Sequence, residues 1–427
     1  MLYVKFIKEN YELLKNSLSK RGQEEKAEWL DIILERDKKW RALKQKADKL
    51  RQKRNELTNK IRELKSQKKQ YDLILKQAQS VPGKITLMEN EMSELSKQIN
   101  SYLEKLPNIL HEKVPLGKDE KDNIPFKFFK ERPTTNSDLL SHSELLEKTN
   151  LANFDAGRIN SGQGFNYLTG ELAELDLALQ RFGIDFLLKK GFKLVVPPLA
   201  LNKKTLGGTV PLDEFNDVIY KIEGEDLYLI ATAEQPLVSL NSNKTFNKED
   251  LPIKICAITP CFRKEIGSRG VDTKGLFRMH QFNKVEQVVI SDHENSYNLL
   301  EEMESLTEDF FKKLELPFRV IEICSGDLGP KQTKQYDIEA WFPRQQEYQE
   351  VTSASNTGEY QSATLNIKYV EGEEKKFCHL LNNTMVATSR AMVAIIENFQ
   401  NKDGTIKIPK ALRKYMNGKK KIGGFKK

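Results

Sequence analysis

From Ile33 onward the apolar residues fall at Ile33, Trp40, Leu43, Ala47, Leu50, Leu57, Ile61 and Leu64, an alternation of three and four broken only by Arg36 and Arg54. No other feature of the chain restricts its fold as much. A repeat near 3.5 residues keeps one stripe of a long helix turned toward a single partner. After Ser66-Gln67-Lys68-Lys69-Gln70 the alternation restarts at Tyr71 and runs through Ile74, Ala78, Val81, Ile85, Met88, Met92, Leu95, Ile99, Tyr102 and Leu106. Two stripes of matching length with a short polar hinge predict two helices that fold back on each other. The result is an antiparallel coiled-coil arm over about 27–106, with its tip near 66–70 and a length of about 50 Å. Pro82-Gly83 leaves the phase intact, so a kink and not a second tip is expected there.

The arm also holds the charge asymmetry of the chain. Residues 36–79 contain 16 Lys and Arg against 5 Asp and Glu, a balance of +11 in a protein whose formal net charge is +8. A helix that merely needs solvation usually mixes signs, and assembly with other coiled coils is a competing use for such a stripe. The nearly one-signed field favours a phosphate backbone as the partner. Arg41, Lys44, Arg51, Arg54, Arg62 and Lys65 are the candidate RNA contacts.

After about residue 125 the pattern changes to short β-rich runs such as IKICAIT, KVEQVVI, FRVIEI, YDIEAWF and YQEVTSAS, with helices expected at Glu171–Lys190, His293–Leu314 and Ser389–Gln400. The turn EGED between DVIYKI and LYLI is a hairpin signal, which predicts antiparallel pairing and an α+β fold class. No P-loop word and no G-x-G-x-x-G between strand and helix is present. The four cysteines and five histidines show no metal-ligand spacing, so reduced thiols and no zinc are expected. No apolar run is long enough to span a bilayer, and the opening residues lack a cleavage-like site, so a cytoplasmic protein with no membrane role is expected.

The stretch Thr259–Glu286, TPCFRKEIGSRGVDTKGLFRMHQFNKVE, reads as two strands joined by a Gly-bounded loop. Residues an even number apart share a strand face, so Arg263 and Glu265 are expected to point together, as are Phe282 and Glu286, with Arg278 nearby. A guanidinium, a carboxylate and an aromatic ring on one floor suit a purine nucleotide.

This wording resembles motif 2 of class II aminoacyl-tRNA synthetases, and FRKE, GLFRMHQF and KVE in that order resemble the seryl-tRNA synthetases. The resemblance implies an antiparallel class II β-sheet flanked by helices. It also implies domains at 1–110 (tRNA-binding, with the arm), 111–135 (linker), 136–416 (catalytic) and 417–427 (a disordered basic tail). LDLALQRFGIDFLLKKGFKLVVPP resembles motif 1, which implies a homodimer. LLNNTMVATSRAMVAIIENFQ resembles motif 3, with Arg390 at a helix start where a cation needs an anionic partner such as the ATP γ-phosphate.

By the same resemblance Arg263, Glu265 and Arg390 would be catalytic. Arg263, Lys264, Glu265, Phe282, Glu350, Val351, Thr352, Ser353 and Arg390 would bind ATP. Glu350 and Ser353 would hold Mg²⁺, while Thr232, Ala233, Glu234, Arg263, Glu286 and Thr384 would bind L-serine. The division of ammonium and hydroxyl among Glu234, Glu286 and Thr384 stays open, as does the choice between tRNA(Ser) alone and tRNA(Ser) with tRNA(Sec). The chain departs from family wording at Ala354, Thr357 and Gln361–Thr364, where two positive charges are missing. A weakened, RNA-binding relative is therefore the alternative to an active serine–tRNA ligase, and the presence of Arg263, Glu265, Glu286, Glu350 and Arg390 argues for the enzyme. Before the motif-3 arginine, Ala387-Thr388-Ser389 resembles archaeal and eukaryotic members.

Overall fold

The computed structural model describes residues 1–133, 139–210, 217–265 and 275–425. The loop expected inside Thr259–Glu286 lies largely outside them, at 266–274, as do the start of the expected catalytic domain near 136 and the last two residues of the tail. Two compact units divide at Pro107/Asn108.

In the first unit, short helices α1 (Val4–Glu9) and α2 (Tyr11–Lys20) precede α3 (Ala27–Ser66) and α4 (Asp72–Leu103). The forty residues of α3 span about 60 Å at helical rise. Every seam residue named above is buried or half-buried in the arm, because each helix covers the stripe of the other. The reversal falls at 67–71, where Lys68 takes a φ of +53°. Helix α4 continues through Pro82, with no second reversal.

The second unit is built on an eight-stranded sheet. Its strands are β1 (Ile124–Phe129), β2 (Lys193–Leu194), β3 (Ile253–Phe262), β4 (Gln281–Ser291), β5 (Phe318–Glu322), β6 (Lys334–Phe342), β7 (Glu347–Asn356) and β8 (His379–Ala387). The spatial order is β1-β5-β6-β7-β8-β4-β3-β2, antiparallel throughout except for β2 against β3. Among its helices are α5 (His142–Lys148), α6 (Gly170–Leu188), α7 (Glu234–Ser239), α8 (Ser296–Lys313), α9 (Tyr360–Leu365) and α10 (Thr388–Phe399).

Strand alternation assigns the two faces of β4. Val285 and Val289 join the large core with Phe182, Phe186, Phe310 and Phe311, in which the rings of Phe182 and Phe310 stack 4.7 Å apart. Val288 and Ile290, on the opposite face, pack with Ala233, Leu237 and Val238 beneath α7. By the same alternation Lys284 and Glu286 belong to that second face, while Phe282, near the strand's start, packs against the large core.

Three expectations change in this unit. Residues 111–133 are not a linker. β1 forms the sheet edge against β5, and Leu110 and Val114 pack with Ile321, Ile323 and Leu328. The tail is not disordered through 425 either. β9 (Thr405–Lys407) pairs with β10 (Lys421–Gly423), Ile422 is 1% exposed, and Lys419 Nζ reaches Glu174 at 2.7 Å and Glu171 at 3.3 Å. A buried isoleucine, strand pairing and bonds from Gly423 N to Glu171 (2.9 Å) and Phe425 N to Asp403 O (2.9 Å) together hold this run of like charge. We expect Ile422→Ala to cost about 2–4 kcal/mol in denaturant unfolding, as buried Ile truncations do; a change under about 0.5 kcal/mol would show that the tail does not hold the fold. Finally, DVIYKI is not a continuous strand. The expected hairpin forms through a single bridge at Lys221 and Tyr228 with flanking backbone bonds, while Val218 O is used elsewhere.

Candidate active site

Strands β3 and β4 pair with Cys261 opposite Phe282, and the bond Arg263 N to His280 O (2.9 Å) extends the ladder by one step. There the strand ends. Lys264 N turns to Val218 O (2.9 Å), and Glu265 adopts a φ of +49°. Arg263 and Glu265 therefore do not share a strand face as the spacing predicted. The turn itself brings both to the wall of one cavity, which Phe282, Lys284 and Thr384 also line. Arg263 Nε donates to Ala231 O (3.1 Å), and its guanidinium carbon lies 5.4 Å from the Phe282 ring centre.

The opposite wall comes from β7 and α10. Partners jump from Ile338–Thr352 to Glu339–Glu350, so Val351 is an extra residue in a bulge. That bulge explains why Glu350, Val351 and Thr352 all border the cavity, where a regular strand would turn every second residue away. Ser353 is not among the lining residues, and its hydroxyl bonds Asp337 on β6. Burial, reinforced by the charge of Glu350, holds the Asp337 carboxyl well above its ordinary range. Arg390, third residue of α10, donates to Glu350 O (2.9 Å), lies 3.3 Å from Glu350 Oε2, and places its guanidinium carbon 5.2 Å from the Phe277 ring centre. These contacts offset the unfavourable position of a cation at a helix start.

At the deep end, Thr232, Ala233 and Glu234 form the turn into α7. Thr232 Oγ1 (3.4 Å) and Thr384 Oγ1 (3.5 Å) both donate to Glu286 Oε2, and Lys284 Nζ meets the same oxygen at 2.6 Å. Glu286 is 1% exposed. Burial raises its carboxyl above the usual value although Lys284 opposes the shift. Glu234 differs. Burial would raise it too, but Lys331 at 2.6 Å and a hydrogen bond from Gln361 more than offset that, and its carboxyl lies below the ordinary value. Ala233 is fully buried and contributes no polar side chain.

Residues 1–110 match the description "Seryl-tRNA synthetase N-terminal domain", and residues 218–399 match the "tRNA synthetase class II core domain (G, H, P, S and T)". The chain is 44% identical over 422 residues to the serine–tRNA ligase of Methanospirillum hungatei, a match covering 98% of this chain and 99% of that one. The ATP complex of seryl-tRNA synthetase from Pyrococcus horikoshii is similar along 100% of both chains, with a TM-score of 0.91 and 43% identity. The AMP complex of cytoplasmic serine–tRNA ligase from Naegleria fowleri is similar with a TM-score of 0.85 and 33% identity, covering 98% of this chain and 96% of that one. The chain belongs to the seryl-tRNA synthetase family.

Several residues around the cavity of this family member escape a motif-based reading. His142 Nε2 accepts from Leu276 N (3.1 Å), which places the ring proton on Nδ1 for donation to Glu397 Oε1 (3.2 Å). A side chain from α5 thus fixes the approach of Phe277 and Arg278 to the cavity. Asp176 of α6 accepts from Asn283 (2.9 Å) and Gln180 (2.5 Å) and also bonds Thr388, tying the expected motif 1 helix to the neighbours of Phe282 and Arg390. Lys331 and His142 belong to no local word, and only the folded chain brings them to the site.

The departure at Gln361 also gains a role. Gln361 is fully buried and donates to Glu234 Oε1 (2.6 Å) and Thr209 O (2.9 Å), while Ser362 bonds Cys378 O (2.5 Å). These side chains face the interior, where an extra unpaired positive charge would be costly.

In the arm, Arg54, Arg62 and Lys65 are exposed and, among the described residues, make no ion pair. Arg41 is engaged by Asp37, and Arg51 by Asp48 and by Glu89 of α4, so Arg51 also staples the two helices. Lys44 lies 5.4 Å from the Trp40 ring centre.

Proposed function

We propose that this chain activates L-serine with ATP, releasing pyrophosphate, and then transfers the seryl group to a terminal ribose hydroxyl of tRNA(Ser). A serine carboxylate oxygen attacks the α-phosphorus, the bond to the β-phosphate breaks, and seryl-adenylate forms. The tRNA hydroxyl then attacks the seryl carbonyl and AMP leaves. Neither step needs a strong acid or base, so positioning and charge neutralisation dominate. One observation carries the reading: a cavity walled by Arg263, Arg390 and Glu350 is lined also by Lys284 and Thr384, which join a buried polar cluster with Glu286 and Thr232.

In this reading Phe282 stacks on adenine and Glu265 accepts from its amino group. Arg263 bridges the α-phosphate and the serine carboxylate, and Arg390 leaves Glu350 for the γ-phosphate. Among the described residues no set of three or more His, Cys, Asp or Glu side chains is arranged to hold a metal by protein ligands alone. A single carboxylate beside a phosphate-sized space suits Mg²⁺ that arrives on ATP and keeps most of its waters. Glu350 would hold it, and the ion would neutralise phosphate charge; Ser353, which does not line the cavity and bonds Asp337 instead, does not fit as the second ligand the sequence suggested.

Exposed Leu177, Leu188, Leu194 and Val196 on α6 and the segment after it support a homodimer through this face. No described helix is long and apolar enough to cross a membrane, and we place the enzyme in the cytoplasm. Service to tRNA(Sec) would follow from the same arm.

The test is exchange of pyrophosphate into ATP with serine, threonine, alanine and glycine side by side. Exchange driven by serine above the other three is expected; equal rates for all four would remove the serine assignment. Charge reversal at Arg54, Arg62 and Lys65 should leave that exchange intact while tRNA charging weakens and its salt slope becomes shallower by about one for each phosphate no longer neutralised. Loss of exchange in the same variant would mean that the arm supports the fold of the site and not RNA binding.

A further inference from the structure

Both buried carboxylates at the deep end are approached by a lysine on one oxygen only. Lys331 Nζ and Gln361 Nε2 meet Oε1 of Glu234, each at 2.6 Å. Lys284 Nζ, Thr232 and Thr384 meet Oε2 of Glu286. Among the described residues nothing donates to Glu234 Oε2 or Glu286 Oε1. The residues are 6% and 1% exposed, and neither oxygen is among the fully buried polar atoms that lack a partner, so each keeps a little surface open to a ligand.

An ionised carboxylate accepts only, at about four lone-pair positions. The two open oxygens match the two donor groups of serine, its ammonium and its hydroxyl. Lys284 lines the cavity of Arg263 and Arg390 and also donates to Thr384 (3.3 Å), so a ligand can touch it. Lys331 does not line that cavity. Its backbone is anchored by Asn108, whose Nδ2 donates to Lys331 O (2.9 Å) and Thr357 O (2.8 Å).

We propose that Lys331 is a positioning residue for serine recognition: with Gln361 it claims Oε1 of Glu234 and fixes Oε2 as an acceptor that faces the amino acid. The inference rests on the serine reading above. It assigns to a loop outside the three motifs the task of keeping Glu234 anionic and in one rotamer, so that a ligand lacking a donor leaves a buried acceptor unpaired.

The experiment measures exchange kinetics of the full-length protein and its Lys331→Met and Lys331→Arg variants, with serine, alanine and ATP each varied across pH. Lys331→Met should raise the serine KM about 10–100-fold, with the ATP KM changed by less than about threefold and a reduced preference for serine over alanine. The groups facing Glu234 are Lys331, Gln361, Lys284 and, across the pocket, Glu286. Without Lys331, burial and Glu286 push the Glu234 carboxyl upward, so in the Met variant serine KM should begin to rise at a higher pH as the pH falls. Lys331→Arg keeps the charge and should recover most of the affinity. If Lys331→Met does not fold, Gln361→Leu removes the other donor to the same oxygen and should give the same selective rise. An unchanged serine KM, or serine and ATP KM rising together, overturns the proposal. Absence of serine-dependent exchange in the unmutated protein would instead overturn the functional reading.

Discussion

Arg263→Ala should lower kcat for serine-dependent pyrophosphate exchange about 10²–10³-fold, the scale on which single preorganised charge donors act. The side chain is held at two points before any ligand arrives: Nε bonds Ala231 O, and the guanidinium lies over Phe282. The terminal nitrogens are thereby left for an anion, in a planar fork that matches a carboxylate or phosphate edge. Negative charge on the α-phosphate grows as the new bond forms, so the loss should fall on kcat as well as on KM. Arg263→Lys should rescue poorly, because an ammonium cannot keep the Ala231 anchor and bridge two oxygens at once. Single-turnover formation of adenylate is the direct measurement. A rate within about threefold of the unmutated enzyme would show that the cavity is not where activation occurs.

Glu286→Gln should raise the serine KM about 100-fold and erase most discrimination against alanine. The variant keeps the shape and removes the charge. It also leaves Lys284 without its counter-ion in a site where both side chains are under 10% exposed, and breaking such a pair from one side costs about 3–5 kcal/mol. Reduced stability should therefore accompany the kinetic defect, and Glu286→Gln combined with Lys284→Met should regain part of the stability without the serine affinity. The pH dependence has a definite sign. The folded-state carboxyl is raised by burial, and serine binding needs the anion, so serine KM in the unmutated enzyme should climb as pH falls through that raised value. In Glu286→Gln that limb should vanish. Its persistence would assign the titration to another group, and Glu234, held below its ordinary value by Lys331 and Gln361, would be the next to test.

The arm was the most legible part of this protein. Its seam is a local repeat, and a stripe of period 3.5 can be buried in only one way by a helix that doubles back. The site was legible in its parts, since Arg263, Phe282 and Glu286 sit in continuous local words. Strand parity puts Phe282 and Glu286 at alternate positions of one strand, and of the two only Phe282 lines the cavity. It misjudged Arg263 and Glu265, which share a cavity because the chain leaves the sheet at Phe262 and turns with a positive φ. Segments 111–133 and 417–425 were misread for a related reason. Charge and turn residues dominate their composition, while a few apolar contacts, Val114 with Ile321 and the burial of Ile422, decide their structure.

The amino-acid order alone determined the helical hairpin, the basic field along it, the antiparallel β character of the body and the words whose residues line the cavity, because each depends on neighbours within a few residues. Tertiary structure alone decided which carboxylate oxygen each lysine claims, that His142 holds Leu276, that Gln361 supports Glu234 from within, and that a bulge at Val351 turns three successive residues toward one cavity. Those relations join positions tens to hundreds of residues apart or depend on strand register, and a buried hydrogen bond or ion pair leaves no periodic trace in a single sequence. It exists only once the surrounding core has excluded water and made the pairing energetically necessary.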